Sequence, residues 1–139
     1  MPILSYRLEV STSGKGLYEI TASIADWLGR QAASSGLLTV FVQHTSASLL
    51  IQENADPDVV HDINAFFTRV VPEDSRFYRH TIEGNDDMPA HIRAALTSTQ
   101  VSIPVAQGRM ELGTWQGVYL FEHRNSPHRR GVLLHLIVE

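Results

Sequence analysis

The sequence predicts an α+β protein built mainly from antiparallel strands, and three observations lead to this fold class. Segments near both ends of the chain carry apolar residues at every second position or in short runs, as strands do. Other segments carry apolar residues three and four positions apart, which is the spacing of an amphipathic helix. The resulting order is ββαββααβββ, in which strands and helices do not alternate regularly. The 139 residues suit one domain, 1–139, with no internal repeat or linker.

The N-terminal part is predicted to hold two strands and a helix. Residues 3–12 alternate between apolar and polar side chains, which indicates a half-buried strand, and residues 17–20 indicate a short second strand. Residues 21–33 predict a helix with Thr21 as its cap. The apolar face of this helix consists of Ile24, Trp27 and Leu28.

The central part is predicted to hold a hairpin and a second helix. Residues 37–54 form two apolar runs around a small polar segment, which favours a hairpin with its tip at residues 45–47. Asp56 and Pro57 are typical of a helix start, and Pro72 ends this helix. Its apolar stripe consists of Val59, Val60, Ile63, Phe66, Phe67 and Val70.

The C-terminal part begins with a long connection, residues 73–87, and connections of this length are often functional. A third helix is predicted over residues 88–99, with Asp87 near its N-cap. The residues expected to point inward from it are Ile92, Ala95 and Leu96. Three further strands are predicted over residues 100–108, 114–124 and 131–139.

Composition excludes several classes of function. The chain has no cysteine, so disulfides and thiolate metal sites are excluded and any metal ligands are His, Asp or Glu. The net charge of −4, from 11 basic and 15 acidic residues, argues against a nucleic-acid partner. The basic segment 123–130 is interpreted as a polar turn between strands. No apolar run is long enough to span a membrane and no signal peptide is present, so a cytoplasmic location is expected.

Three of the seven histidines occupy positions that favour a metal site. His61 and His128 are interpreted as surface residues, whereas His44, His80 and His91 lie at boundaries between elements, where distant parts of a chain converge. Imidazole nitrogen suits a borderline divalent metal, and carboxylates complete the coordination shell.

A carboxylate beside these histidines suggests the fourth ligand. Asp87 precedes His91 by four residues, so both share one face of a helix that begins at Asp87. His44, His80, Asp87 and His91 are therefore the predicted ligands of a divalent metal. Zinc is favoured, and manganese, iron, nickel and magnesium are alternatives. The competing interpretation is that the acids cap the third helix, although one acid suffices for a cap and Asp86 is surplus.

Other residues could contact a substrate. Glycines flank Trp115 in the segment 113–117, so Trp115 is either a packed strand residue or a wall for a flat ring, with Gln116 as a hydrogen-bonding neighbour. Three hydroxyls near His44 suit phosphate contacts better than a serine nucleophile, because no nucleophile elbow is present. These hydroxyls belong to Thr45, Ser46 and Ser48. Glu122 and Arg124 share one strand face, which favours an ion pair between them.

Four motifs in the same order resemble the YjbQ family, whose members are often described as secondary thiamine-phosphate synthases. The motifs are QHTSASL from residue 43, ExxDP from residue 53, HxxEGxDDMPxHI from residue 80 and GTWQGxxLxEHR from residue 113. The resemblance implies an α+β fold with a two-sheet β-sandwich and two or three helices, assembled as a homotrimer. It also implies that His44, His80 and His91 meet, often around a metal.

The implied reaction joins a pyrimidine pyrophosphate to a thiazole phosphate and releases pyrophosphate. In this scheme His44, Asp86, Glu122 and Arg124 are the expected catalytic residues. The expected contacts to a small phosphorylated substrate come from Thr45, Ser46, Ser48, Thr114, Trp115 and Gln116. Two alternatives remain open. One is a metal-dependent hydrolase that uses Glu122 or Asp86 as base, and the other is a non-catalytic trimer that binds a metal or small ligand.

Overall fold

The computed structural model describes residues 1–139 as an α+β fold with three helices and antiparallel sheets, as predicted. The helices are α1 (Thr21–Gly29), α2 (Pro57–Val70) and α3 (Asp87–Leu96), and a single 3₁₀ turn covers Ser75–Phe77. The strands are β1 (Ile3–Thr12), β2 (Gly16–Glu19), β3 (Ser35–Val42), β4 (Ala47–Glu53), β5 (Gln100–Ala106), β6 (Arg109–Met110), β7 (Gln116–Glu122) and β8 (His128–Val138). The two-residue strand β6 is the element that the predicted order lacks.

The strands form two sheets, and buried side chains from both sheets belong to one hydrophobic core. One sheet has the order β1-β8-β3-β5-β6 and the other has the order β2-β7-β4, with antiparallel pairing throughout. Strand β8 sends alternate residues inward, including Leu134 and Leu136, where they meet Leu49 and Leu120 from the smaller sheet. Helix α1 closes one end of this core through Ile24, Trp27 and Leu28, as the sequence predicts.

The predicted hairpin over residues 37–54 is wrong. Strand β3 pairs with β5 and β8 in the larger sheet, whereas β4 pairs with β7 in the smaller one. Residues 43–46 therefore cross from one sheet to the other. Apolar periodicity identifies each strand but carries no information about its partner. It therefore cannot show that two successive strands belong to different sheets.

The Asp56 cap of α2 and the position of Asp87 beside the N-cap of α3 agree with the predictions, whereas the cap of α1 does not. Asp56 caps α2 as expected, since its Oδ1 accepts a 2.9 Å hydrogen bond from the Asp58 amide. The predicted Thr21 cap of α1 is wrong, because Ile20 is the N-cap and the Thr21 hydroxyl accepts from the Val118 amide at 2.8 Å. At α3 the N-cap is Asp86, and its side chain makes no capping bond.

Helices α2 and α3 differ from the prediction in the faces that they bury. On α2, Phe67 packs edge-to-face on Phe121 of β7 at 5.3 Å, but Phe66 remains about half exposed. On α3 the predicted inward face is wrong, since Leu96 is 60% exposed. The buried residues of α3 are Asp87, Pro89, Ala90 and Arg93. Buried polar contacts help to fix the position of this helix. The Arg93 guanidinium, for example, donates a hydrogen bond to the Val71 carbonyl at 2.9 Å.

The outer face of the larger sheet carries exposed apolar side chains. Ile3, Leu37 and Phe41 are 59%, 42% and 40% exposed. They lie on the two strands that flank β8, since Ile3 of β1 and Leu37 of β3 both pair with Ile137 of β8. An apolar sheet face of this kind favours association with another surface. No helix in the structure has the length and apolar character needed to cross a membrane.

Candidate metal centre

His80, Asp87 and His91 form a cluster at the start of helix α3. His80 comes from the long connection before the helix, and Asp87 and His91 lie four residues apart on one helical face, as the sequence predicts. One ligand atom from each residue lies within 4.8 Å of the others. The side chains of His80 and His91 are 44% and 32% exposed, so the cluster opens to solvent on one side.

Asp87 is the buried centre of the cluster. Its Oδ2 lies 2.6 Å from His80 Nε2 and 3.2 Å from His91 Nε2, and its Oδ1 accepts a 2.7 Å hydrogen bond from Arg124 Nη1. Burial raises the pKa of Asp87, but the hydrogen bond to His80 and the charge of Arg124 outweigh it and hold this pKa below its usual value. The carboxylate is therefore ionised at neutral pH.

The contacts of His91 determine which of its two ring nitrogens carries the proton. Its Nδ1 lies 3.0 Å from the Thr45 carbonyl oxygen, which can only accept, so Nδ1 carries the ring proton. In the neutral ring Nε2 then directs a lone pair at the Asp87 carboxylate, and two acceptors face each other. A second proton or a metal ion relieves this repulsion. Metal-ligating histidines commonly donate their other ring N–H to a backbone carbonyl, as His91 does.

Arg124 binds the carboxylates of both Asp86 and Asp87 and so fixes their positions. Its guanidinium donates to Asp86 Oδ2 at 2.9 Å, to Asp87 Oδ1 at 2.7 Å and to the Glu83 carbonyl at 2.9 Å. Burial raises the pKa of Asp86, but the Arg124 hydrogen bond and the Asn125 amide bring it below its usual value. The Asp86 and Asp87 side chains thus bind an arginine rather than capping α3.

The predicted ion pair between Glu122 and Arg124 is wrong. The Glu122 side chain points into the space between the sheets, where it pairs with Arg130 and accepts a 2.7 Å bond from the Thr12 hydroxyl. Burial raises the pKa of Glu122, but the bonds from Arg130 and Thr12 outweigh it and leave the pKa below its usual value. Glu122 is fully buried, so this carboxylate does not reach the cluster surface.

Arg130 is the residue of this network that the sequence interpretation missed. The predicted polar turn over residues 123–130 is wrong at its end, because β8 begins at His128. The Arg130 side chain is only 4% exposed. No signal in the sequence marks it, because residues 128–130 are all basic and the apolar run that follows does not alternate. Arg130 Nη2 also donates to Ser46 Oγ at 3.0 Å, which ties the crossing segment to β8.

His44 lies outside the cluster. Its Nε2 accepts a 2.8 Å hydrogen bond from the Gly131 amide, and its Nδ1 lies 3.4 Å from Arg130 Nη1. Burial and the charge of Arg130 lower the pKa of His44, so its ring is neutral. With Nε2 engaged as an acceptor, Nδ1 carries the proton and no lone pair is free for a metal in this conformation.

His44 and His91 nevertheless border one cavity of about 290 Å³. The other lining residues are Thr45, Ala47, Ala94, Ala95 and Thr99. Thr45 is the exposed member of the three predicted hydroxyls. Ser46 and Ser48 are buried, and Ser48 Oγ lies 2.9 Å from His123 Nε2, so both hydroxyls serve internal networks instead.

The structure does not bring Thr114, Trp115 and Gln116 to the cluster. They lie at the start of β7, whereas Arg124 follows its end, and a seven-residue strand spans roughly 20 Å. Trp115 is 62% exposed, and Gln116 Oε1 accepts a 2.7 Å bond from the Gly113 amide. Within one chain these residues form a separate exposed turn.

Comparison with protein families identifies close relatives over nearly the whole chain. The family described as "UPF0047 protein YjbQ-like" matches residues 6–139. A UPF0047 protein of Synechocystis is 56% identical over 129 residues, covering 93% of this chain and 88% of that protein. The UPF0047 protein YjbQ of Escherichia coli is 44% identical over 118 residues, covering 84% and 85%.

Solved structures share the fold. A conserved hypothetical protein from Thermus thermophilus superposes with a TM-score of 0.85 at 35% identity, covering 95% of this chain and 99% of that one. A YjbQ/UPF0047 family protein from Clostridium acetobutylicum gives a TM-score of 0.82 at 34% identity, covering 96% and 99%. These names identify a family and describe no reaction.

Proposed function

The chain belongs to the YjbQ-like UPF0047 family, and we propose that it is an enzyme whose His80, Asp87 and His91 hold a divalent metal ion. The observation that carries the proposal is the lone pair of His91 Nε2, which faces the Asp87 carboxylate while Nδ1 is bound to the Thr45 carbonyl. Nitrogen and oxygen ligands suit zinc first, with manganese, iron, nickel and magnesium as alternatives.

The proposed substrate is a small phosphorylated molecule that enters the cavity between His44 and His91. The exposed Thr45 and the neutral His44 line this cavity, where they would orient the substrate. Arg124 acts as a positioning residue, because its guanidinium is committed to Asp86, Asp87 and the Glu83 carbonyl.

The proposed reaction is thiamine-phosphate synthesis, in which a pyrimidine pyrophosphate is joined to a thiazole phosphate with release of pyrophosphate. A bound divalent metal would supply charge stabilisation to the departing pyrophosphate. The chain's own contribution is to place the metal ligand His91 and the neutral His44 along one cavity, with the ionised Asp87 behind His91. Trp115 of the same chain has no part in this scheme, since it lies at the far end of β7.

A second candidate is hydrolysis of a small phosphorylated substrate. The observation that favours it is the exposure of His80 and His91, which leaves the cluster open to water. The two reactions differ in their requirements, because hydrolysis proceeds with one substrate and synthesis needs two.

Metal content of tag-free protein, purified without chelator and measured by elemental mass spectrometry, tests the metal centre. We expect about one ion per chain in wild type and loss of that ion in His91→Ala. His61→Ala is the matched control, because His61 is exposed on α2 and lies outside the cluster. Absence of metal after incubation with zinc and manganese, or equal metal in all three proteins, would refute the centre. Synthase and hydrolase assays in a preparation free of the host's own enzyme then separate the reactions.

We also propose that the two sheets form a β-sandwich that assembles as a homotrimer. The support is the apolar outer face of the larger sheet, where Ile3, Leu37 and Phe41 are exposed. Burial of such side chains favours association by about 25 cal/mol for each Å² of apolar surface removed from water.

A further inference from the structure

A second cavity lies on the other side of α3 from the metal cluster. It has a volume of about 220 Å³ and opens between α2 and strand β7. The residues that line it are Lys15, Asn64, Phe67, Thr68, Arg93 and Phe121. None of them is a ligand of the candidate metal centre, so the two sites can be tested separately.

Arg93 is a buried cation that no carboxylate contacts. Arg93 is 4% exposed, and no carboxylate lies within 4 Å of its guanidinium. Nη2 donates to the Val71 carbonyl at 2.9 Å, but the buried Nε has no hydrogen-bond partner. Buried charges in proteins are ordinarily paired, so an unpaired guanidinium beside a cavity points to a missing anion.

The surroundings of Arg93 compensate its positive charge only in part, because one acid, Glu73, acts on both Arg93 and Lys15. Lys15 is a second cation at the cavity, and Glu73 is the acid bound to it. The two cations therefore exceed the one acid by one charge. His123 Nδ1 is a further buried atom without a partner, and burial together with the charge of Arg93 lowers the pKa of His123 to about 3.

The opposite part of the cavity is apolar and aromatic. The Phe67 and Phe121 rings meet edge-to-face with their centroids 5.3 Å apart. The cavity thus combines cations with aromatic rings within a volume that suits a small molecule. Arginine binds carboxylate and phosphate oxygens well because its donors form a planar fork.

We propose that this cavity is a binding site for a small organic oxyanion, a phosphate or carboxylate whose apolar body lies against Phe67 and Phe121. The oxyanion accepts hydrogen bonds from Arg93 and from the ammonium of Lys15. Asn64 and Thr68 lie at the mouth of the site on α2 and supply further polar contacts. The site is independent of the metal centre, so loss of metal leaves it intact.

Titration with phenyl phosphate, followed through the side-chain Nε–H resonance of Arg93 by NMR, tests the site. The titration uses His91→Ala protein treated with chelator, so that anion bound at a metal is not counted. We expect a saturable shift of the Arg93 Nε–H resonance, because the guanidinium that carries it gains an anionic partner. Lys15→Gln should weaken binding by about tenfold, which corresponds to one lost charge-assisted contact.

Arg69→Gln is the matched control, because it removes one positive charge from the last turn of α2 without lining the cavity. It should leave the affinity within about twofold of that of the parent protein, as expected for an exposed, solvent-screened charge that does not line the cavity. An unshifted Arg93 resonance at millimolar phenyl phosphate would overturn the proposal. Equal weakening by Lys15→Gln and Arg69→Gln would also overturn it, since that result indicates general charge screening.

Discussion

Arg124 Nη1 donates a 2.7 Å hydrogen bond to Asp87 Oδ1, which joins the end of strand β7 to the first residue of helix α3. This bond occupies one oxygen of the carboxylate and leaves Oδ2 facing His80 and His91. Asp87 can therefore offer a metal one oxygen only. The same arginine neutralises Asp86, so a bound cation does not face two uncompensated acids.

We predict that Arg124→Gln destabilises the protein and weakens its metal binding. Asp86 and Asp87 would remain largely buried without their cationic partner, which costs about 3 kcal/mol of unfolding free energy. Loss of a group that orients a metal ligand lowers affinity by about 10–100-fold. Urea denaturation and zinc titration measure the two effects.

Arg129→Gln serves as the control for this variant. The Arg129–Glu9 ion pair is exposed on both sides, so its loss should cost less than about 1 kcal/mol. Similar costs for the two substitutions would show that Arg124 does not hold the acids of the cluster in place.

We predict that His123 makes the unfolding free energy fall as the pH drops from 6.5 towards 3. Burial lowers its pKa in the folded protein from 6.5 to about 3, so only the unfolded chain binds a proton within this window. The stabilisation is complete above 6.5 and decreases below it, by at most about 1.4 kcal/mol for each pH unit. Urea denaturation between about pH 4.5 and 6.5 measures the slope, because most carboxylates are already ionised in this range.

His123→Gln tests the assignment of this slope. Glutamine retains a polar contact for Ser48 but does not titrate, so the variant should show a shallower pH dependence whatever its absolute stability. An unchanged slope would assign the effect to other groups.

We predict that Gly84→Ala destabilises the loop that precedes α3. Gly84 has φ +112°, and an added Cβ would lie 2.9 Å from Asp86 Oδ1. Backbone strain of this kind costs about 1–3 kcal/mol, and displacement of Asp86 disturbs the Arg124 network. Thermal denaturation of metal-free protein measures the loss of stability.

Gly29→Ala is the matched control for this glycine. Gly29 ends α1 and nothing lies within 4 Å of an added Cβ. Alanine in this helical position should stabilise by about 0.5–1 kcal/mol. A Gly84→Ala protein as stable as wild type would show that the loop accepts a side chain there.

We predict that Phe41→Glu converts the proposed trimer to monomers. Phe41 is 40% exposed on the outer face of the larger sheet, and a carboxylate there would be desolvated in an interface. Size-exclusion chromatography with light scattering measures the mass. Phe66→Glu, at a residue 48% exposed on α2, should leave the mass unchanged. A monomeric wild type would reject the proposed assembly.

The sequence predicted most elements because their periodicity is local. Strands β1 and β8, helix α1 and the Asp56 cap of α2 follow from side chains close together in the chain. The pairing of β3 with β8 could not be predicted in this way, because register depends on contacts almost a hundred residues apart. The inward face of α3 was missed since Asp87 and Arg93, rather than its leucine, are buried.

The same distinction separates what was predicted of the candidate site from what was not. Asp87 and His91 lie one helical turn apart, so their shared face follows from spacing alone. The contact of His91 with the Thr45 carbonyl joins residues 46 positions apart and involves a backbone atom, which residue types cannot indicate. The position of His44 depends on the Gly131 amide, another backbone group.

The crossing segment 43–46 limits where this chain can change in length. The Gln43 amide donates to the Gly131 carbonyl at 3.1 Å, His44 accepts from the Gly131 amide, and Thr45 and Ser46 bind α3 and Arg130. One inserted residue would displace the residues that make these four contacts, so we expect no viable insertion there. The turn between β5 and β6 at Gln107 is exposed, so we expect an inserted residue to be tolerated there without moving the histidines.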